Sequence, residues 1–271
     1  MGIRPAFLIL LAGLLLFPGA DALAGRVSCL NCHPSHYTGS GSCGSCHRGD
    51  DRSDRLAIAH RDLIGAKFSW FAIAGSQPLV RGEKLLVTFA CRRCHTTGGK
   101  GNRLASNLDR LPVNTTPQMI FESIKSPALY MPDFRFDDRQ LTDLVNAILA
   151  GAIKTDRKTT ETPQVVHFES EKRQTNNAFE KQCGPCHKIL TDAYGALGKG
   201  SIGPNLSGLF SEFYPANLKD NGRWTEASLK KWLENPRKLR PSSTMRPVVF
   251  EQGEFEEILR ILRQSGVAQD K

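Results

Sequence analysis

The residues with the most distinctive chemistry are the eight cysteines, which all belong to four short strings of the form Cys-x-x-Cys-His. Each string places two thiols and one imidazole within five residues. Thiols form covalent bonds and bind soft metals, and imidazole is the commonest protein ligand of transition metals. The strings therefore predict metal or covalent chemistry at four places. They are Cys29, Cys32 and His33; Cys43, Cys46 and His47; Cys91, Cys94 and His95; and Cys183, Cys186 and His187.

Three kinds of site use a Cys-x-x-Cys pair: a redox disulfide, a zinc site and a covalent haem attachment site. In haem attachment the thiols add to two vinyl groups, and the adjacent histidine coordinates the iron. The histidine that ends every string favours haem over zinc, and a thioredoxin-like site would need one motif inside a β-α-β pattern that is not seen here. The chain thus resembles the multihaem c-type cytochromes. The resemblance implies four covalently attached haems c, with the four string histidines as proximal iron ligands.

Each low-spin haem iron takes a second, distal ligand. His36 lies three residues after His33, and such a stretch of chain reaches at most about 10–11 Å. That reach is too short for both side chains to bind one iron from opposite sides. We therefore predict that His36 completes the haem held by His47 and that His60 completes the haem held by His33, within a bis-histidine dihaem segment of residues 25–66. The alternatives are a surface histidine at 36 and a helix-capping histidine at 60.

Residues 81–151 are similar to a class I cytochrome c module, after a linker at 67–80. A helix from Arg81 leads into the third string, another helix starts near Pro117, and an amphipathic helix over 138–151 closes the module. The resemblance implies that Met131, which precedes a proline in a loop, is the distal ligand of the third haem. Met119 is then expected to fill the core.

Residues 174–271 repeat this plan after a linker at 152–173. The segment 203–209 matches the one that follows the motif in class I cytochromes, which implies that the Pro204 carbonyl accepts a hydrogen bond from His187. A helix over 224–234 with a Thr225 N-cap and a helix over 254–264 complete the module. Met245 is the implied distal ligand, although an arginine rather than a proline follows it. His167 lies in the linker and is expected to be solvated, its replacement of a methionine ligand being the alternative.

The expected fold class is all-α, with short helices packed around haem. Residues 1–24 have a basic start at Arg4, an apolar run over 6–17 and the cleavage pattern Ala-Leu-Ala at 22–24, which predict a cleaved signal peptide. The apolar core is shorter than the roughly 20 residues of a spanning helix, so an uncleaved anchor is the less favoured alternative. We therefore expect a periplasmic or otherwise exported protein.

The net charge of +9 does not predict nucleic-acid binding. Four haems bring about eight propionates, so the loaded protein is much nearer neutral. Positive charge concentrates in the last module, where it forms either a docking surface for an acidic redox partner or a solvated face. The residues concerned are Lys230, Lys231, Arg237, Lys238 and Arg240.

The predicted function is electron transfer in an anaerobic or respiratory chain, either as a soluble carrier or as the cytochrome subunit of a quinol-oxidising or reductase complex. A distal methionine raises the haem potential relative to a second histidine, so electrons would pass from the bis-histidine pair to the two His/Met haems. The expected partners are redox proteins, including a membrane quinol-oxidising or reductase complex, and the cytochrome c maturation machinery. The alternative is a haem enzyme, such as a dihaem peroxidase, in which one methionine is displaced. Four donors fill the four distal places, which favours the carrier, and no catalytic residue is predicted.

Overall fold

The computed structural model describes residues 28–112, 114–128, 130–153 and 176–266. These residues form short helices joined by loops, together with one small antiparallel hairpin. The fold is therefore mostly helical, as the sequence predicts, and the hairpin is an addition to the expected all-α architecture. The predicted signal peptide, His167 and most of the predicted linker 152–173 lie outside the described residues.

The N-terminal segment, residues 28–64, contains very little regular structure. It has a 3-10 helix at Ser28–Asn31 and the short helices α1 (Cys43–His47) and α2 (Leu56–Ala59). No residue from 28 to 63 is buried. A segment this short cannot bury enough apolar surface to order itself through side-chain packing alone.

The central module, residues 66–153, is built on two crossing helices. Gly82 of one helix lies against the closing helix so closely that a Cβ atom would come 2.0 Å from the Asp143 carbonyl oxygen, which only glycine avoids. Beside it, the Arg81 guanidinium donates two hydrogen bonds to the Asp143 carboxylate, at 2.6 and 2.9 Å. The helices are α3 (Gln77–Thr88), α4 (Pro117–Lys125) and α5 (Asp138–Ile153), with 3-10 helices at Ala66–Ala72, Cys91–Arg93 and Leu108–Arg110.

Residues 67–80, predicted to be a linker, contribute three buried side chains to the core of the central module. Phe68 and Phe71 are buried among residues of α5. The Asn146 side chain, fully buried in α5, accepts a hydrogen bond from the Phe71 amide (2.9 Å) and donates one to the Lys67 carbonyl (3.0 Å). The helix α3 begins at Gln77 rather than at 81, because Pro78 occupies its first turn, where the missing amide proton is not needed.

The C-terminal module, residues 176–266, has a separate apolar core. The helix α7 starts after Thr225, whose side chain accepts a hydrogen bond from the Ser228 amide (3.1 Å), as the predicted N-cap requires. In the hairpin, Ile189 pairs with Leu197. The elements are α6 (Ala178–Gln182), β1 (Ile189–Thr191), β2 (Gly195–Leu197), a 3-10 helix at Lys219–Asn221, α7 (Glu226–Glu234), α8 (Pro236–Leu239) and α9 (Glu254–Arg263).

The central and C-terminal modules pack directly against each other. A third apolar cluster joins Leu104 of the central module to Leu190 and Ala196 of the hairpin. The Asn102 side-chain amide, also buried, donates a hydrogen bond to the Ser211 hydroxyl (3.0 Å) across the same boundary. Within the described part of the chain, no helix combines the length and apolarity needed to cross a bilayer.

Candidate haem sites

A turn of helix brings the reactive groups of each string together. The second string is helix α1, and in the other three strings the histidine amide donates to the carbonyl of the first cysteine at 2.8–3.0 Å. Residues at positions i, i+3 and i+4 of a helical turn share one face. The two thiols and the imidazole of each string therefore lie on one side of the chain, as attachment to a single planar group requires.

Burial keeps two of the string thiols in the protonated form. All eight cysteines are free. Burial raises the pKa of Cys91 to about 11 and that of Cys183 to about 12, so both thiols stay protonated at neutral pH. Zinc binding and disulfide exchange use the thiolate. Among the described residues, no group of three His, Cys, Asp or Glu side chains is arranged to hold a metal ion.

The histidines of the N-terminal segment form two close pairs. The ring centres of His33 and His60 are 6.1 Å apart, and those of His36 and His47 are 5.9 Å apart. A metal bound between two imidazoles, with metal–nitrogen bonds of about 2 Å, separates the ring centres by about 6 Å. The pairs are the crosswise ones that the sequence predicts, and their spacing fits one iron in each.

Backbone carbonyls orient three of the four string histidines, which are the predicted proximal ligands. The Nδ1 atom of His47 lies 3.0 Å from the Ile64 carbonyl oxygen, that of His95 lies 2.8 Å from Ser106, and that of His187 lies 2.8 Å from Pro204. Because a carbonyl only accepts, each Nδ1 carries the proton and each Nε2 keeps a lone pair for a metal. Burial also lowers the pKa of His95, which favours the neutral ring.

Of these three acceptors, the sequence predicts only Pro204. Ser106 lies 11 residues after its histidine and Ile64 lies 17 residues after its own, and no string comparable to Gly-Pro-Asn-Leu marks either. In the C-terminal module a further residue completes the arrangement. Gly203 lies so close to the His187 ring that a Cβ atom would approach Cε1 to 2.2 Å, so the absence of a side chain there lets the backbone fix the ring.

A buried hydroxyl next to the third string provides an independent test of whether haem fits. The Thr96 hydroxyl, adjacent to His95, is buried and lacks a hydrogen-bond partner in the described structure. Buried polar atoms are normally paired. A carboxylate or other polar substituent of a haem held by His95 would satisfy this one, so the donor set and its surroundings fit the cofactor.

An aromatic cluster positions the loop that carries Met131. Phe134 and Phe136 pack edge-on against Phe89, with ring centres 5.3 and 4.6 Å away. Phe89 lies two residues before the third string, so these contacts hold the loop beside the string. Met131 itself is half-buried. Met119, expected in the core, is instead 52% exposed on α4.

Met245 is held by a tryptophan of α7. The Trp232 Nε1–H donates a hydrogen bond to the Met245 sulphur at 3.1 Å, and the Met245 amide donates to the Ser243 hydroxyl at 3.2 Å. The side chain packs on the C-terminal core. A thioether accepts such a bond with one lone pair and keeps the other available for a metal.

The predicted docking residues form one exposed basic surface on α7, α8 and the loop that follows. It borders the Met245 loop, because the Arg240 guanidinium lies 5.6 Å from the Trp232 ring centre and Arg237 Nε donates to the Ser243 carbonyl at 3.3 Å. We call it the basic surface. Its members are Lys230, Lys231, Arg237, Lys238 and Arg240, all exposed.

Comparison with known proteins places part of the chain in one family. A family model described as cytochrome c oxidase, cbb3-type, subunit III matches residues 77–146, from the start of α3 into α5. The cytochrome c of Stellaria longipes is 32% identical over 87 residues, 28% of this chain and 75% of that protein. The cytochrome c of Gibberella zeae is 31% identical over 78 residues, 26% of this chain and 69% of that protein.

The cytochrome c of Kluyveromyces lactis is 33% identical over 76 residues, 25% of this chain, and the match spans 64% of that protein, slightly under two thirds. No solved structure matches the chain. The Cys-x-x-Cys-His strings, the helical fold and these relatives agree, and homology to cytochromes c implies covalently bound haem c and an electron-carrier domain in the part of the chain that they match. The chain belongs to the cytochrome c family.

Proposed function

We propose that this chain is a tetrahaem electron carrier with two bis-histidine haems followed by two His/Met haems. The observation that carries the proposal is the pair of imidazole contacts in the N-terminal segment, His33 with His60 at 6.1 Å and His36 with His47 at 5.9 Å. Haem c, when bound, supplies reversible one-electron transfer at its iron. The proposed ligands of the other two haems are His95 with Met131 and His187 with Met245.

The protein's part is to orient and tune these ligands. The carbonyls of Ile64, Ser106 and Pro204 hold three proximal rings and raise their basicity. A distal methionine raises the reduction potential of a haem relative to a second histidine. The proposed ligand set therefore favours electron entry in the N-terminal segment and exit through the central and C-terminal modules. The proposed domains are a dihaem segment at 25–66, a class I module at 81–151 whose core also includes Phe68 and Phe71 of the predicted linker, and a class I module at 174–271.

A haem enzyme with a displaced methionine is less well supported. Displacement of Met245 would break the hydrogen bond from Trp232 to its sulphur and remove the side chain from the C-terminal core. Carbon monoxide binding by the reduced, undenatured protein would favour the enzyme. Fully six-coordinate, low-spin spectra would favour the carrier.

We further propose that the protein is exported and docks an acidic redox partner. Export is supported by the signal-peptide pattern of residues 1–24 and accords with a need for cytochrome c maturation machinery. A membrane quinol-oxidising or reductase complex is one candidate partner. The basic surface supports docking, because opposite charge accelerates encounter and salt screens it.

The ligand assignment is tested with the full chain produced together with its maturation machinery. The intact mass should exceed that of the polypeptide by four haems. A redox titration should resolve one group of haems with low reduction potentials and one group with high reduction potentials. His60→Met should raise the potential of one haem in the low group, whereas Met131→His should lower one in the high group. A colourless product of unmodified mass, or four haems within one narrow wave, would contradict the proposal.

Docking is tested by charge reversal. Lys230→Glu combined with Lys231→Glu should slow electron transfer to a negatively charged partner at low salt and flatten the salt dependence. Lys84→Glu, an exposed lysine of α3, is the matched control. Equal rates for both variants would leave the basic surface as a solvated face.

A further inference from the structure

The Met131 loop is tied to the C-terminal module at the residue before the methionine. The Tyr130 hydroxyl donates a hydrogen bond to the Gly198 carbonyl at 2.7 Å. In return, the Asn205 side-chain amide donates to the Tyr130 carbonyl at 2.9 Å. Both partners lie about 70 residues further along the chain, in the loop that follows β2. The side chain and the backbone of Tyr130 are therefore both fixed from outside their own module.

The Tyr130 ring is also packed at the boundary between the modules. It contacts the cluster of Leu104, Leu190 and Ala196, two of which belong to the hairpin. The Lys188 ammonium lies 5.6 Å from the ring centre, within the range of a cation–π interaction. Tyr130 therefore has apolar, polar and charged contacts that the C-terminal module supplies.

The same part of the C-terminal module reaches the proximal side of the third site. Arg93, inside the third string, donates to the Asn205 carbonyl at 3.1 Å. Cys94, the second cysteine of that string, packs against the cluster that contains Leu190 and Ala196 of the hairpin. Asn205 thus bonds to the distal loop through its side chain and to the string through its carbonyl.

We propose that residues 198–207 of the C-terminal module are a positioning element for the third haem site and hold Met131 in place as its distal ligand. This inference rests on the proposed His/Met ligation of that site. A thioether on an unrestrained loop can bind the iron only at a cost in conformational entropy, because binding orders the loop. The Tyr130 contacts on one side and the Phe134 and Phe136 contacts on the other restrict the loop before the ligand binds. The ligand strength of Met131 is therefore set partly by the neighbouring module.

The experiment compares Tyr130→Phe with the unmodified full chain loaded with haem. This variant removes one hydroxyl and keeps the ring packing, so folding is preserved. Added imidazole competes with methionine for the oxidised iron, and its binding is followed by loss of the methionine–iron charge-transfer band. Met131→Ala identifies the share of the band that belongs to the third haem. Tyr194→Phe, in the hairpin turn, is the matched control.

In Tyr130→Phe the third haem should bind imidazole about fivefold more tightly, the factor of one neutral hydrogen bond. The fourth haem and the Tyr194→Phe variant should be unchanged. Amide hydrogen exchange should also quicken at residues 131–136 in the same variant.

Unchanged imidazole affinity at the third haem would overturn the inference while leaving four haems and electron transfer intact. A band that is insensitive to Met131→Ala would instead overturn the ligand assignment in the proposed function, and the inference with it. The two failures are thus told apart by the Met131→Ala spectrum alone.

Discussion

The N-terminal segment positions its candidate haem ligands differently from the two modules that follow it, the central module and the C-terminal module. From residue 28 to 63 nothing is buried, yet four histidines come together in two pairs. The central and C-terminal modules instead have apolar cores of their own, and their methionine loops are held by aromatic side chains. The N-terminal segment is therefore expected to depend on its cofactors for order, whereas the modules position their cofactors on a protein framework.

Ile64 connects the N-terminal segment to the core of the central module. Its side chain is fully buried in the central core. Its amide donates to the His47 carbonyl at 2.7 Å, and its carbonyl accepts from His47 Nδ1 at 3.0 Å. The coreless segment is thus anchored to the central module at the histidine that is proposed to bind iron, and Tyr37 adds an edge-on contact with Trp70 at 5.7 Å.

The largest expected effect comes from removing haem attachment in the N-terminal segment. Replacing its four cysteines with serine should bring amide hydrogen exchange of residues 28–63 close to the rate of an unfolded chain, because none of these residues is buried in an apolar core. Helix α5 should remain protected in the same sample and serves as the internal control. Retained protection in residues 28–63 would contradict the contrast drawn between the regions.

The next effect concerns the core of the central module. Leu144→Ala, at a residue 1% exposed, should lower the free energy of unfolding by about 2–5 kcal/mol, since it removes buried methyl groups and leaves a cavity. Urea unfolding followed by circular dichroism measures the change. Glu83→Ala, on the exposed side of α3, should stay within about 0.5 kcal/mol. Comparable losses in both variants would mean that packing against α5 does not carry the stability of this module.

A smaller effect on stability is expected from the ion pairs, which are more buried in the central module than in the N-terminal segment. Asp143 is 4% exposed and pairs with Arg81, whereas Asp50 pairs with Arg52, which is 87% exposed. Asp143→Asn should lower the urea midpoint, because it weakens a charged pair shielded from water. Asp50→Asn should leave the midpoint within error, because exposed pairs contribute little. A double-mutant cycle with Arg81→Met measures the coupling energy between Arg81 and Asp143. A coupling energy of zero would contradict the expected contribution of this pair to stability.

The smallest effect tests how Met245 is held. Trp232→Phe removes the hydrogen bond to the thioether, so imidazole should displace Met245 about fivefold more readily. The charge-transfer band of the oxidised protein reports the displacement. Trp224→Phe is a matched control, because its Nε1–H bonds Asn217 at 2.7 Å rather than a methionine. Identical imidazole titrations of the two variants would show that the Trp232 hydrogen bond does not help to hold Met245 as a ligand.

Much of the local structure could be predicted from particular residues. The Thr225 N-cap and the start of α5 at Asp138 follow from capping and apolar spacing, which act within a few residues. The hairpin was missed because strands of three residues give too little alternation to recognise. The segment 67–80 was taken for a linker because neither its glycine-bounded aromatic residues nor Pro78 reveals which partner helix covers them. That partner, α5, lies more than 60 residues later.

The sequence by itself determined the four Cys-x-x-Cys-His strings and predicted which histidines approach each other, His33 with His60 and His36 with His47. These depend on short spacings, where the reach of the chain leaves few arrangements. Only the tertiary structure decided that Ile64 and Ser106 orient His47 and His95, and that the C-terminal module clamps Tyr130. Such contacts join residues up to 75 positions apart. No marker string in the sequence identifies the Ile64 and Ser106 carbonyls, and the Tyr130 contacts arise only when the central and C-terminal modules pack together and bury the polar groups between them.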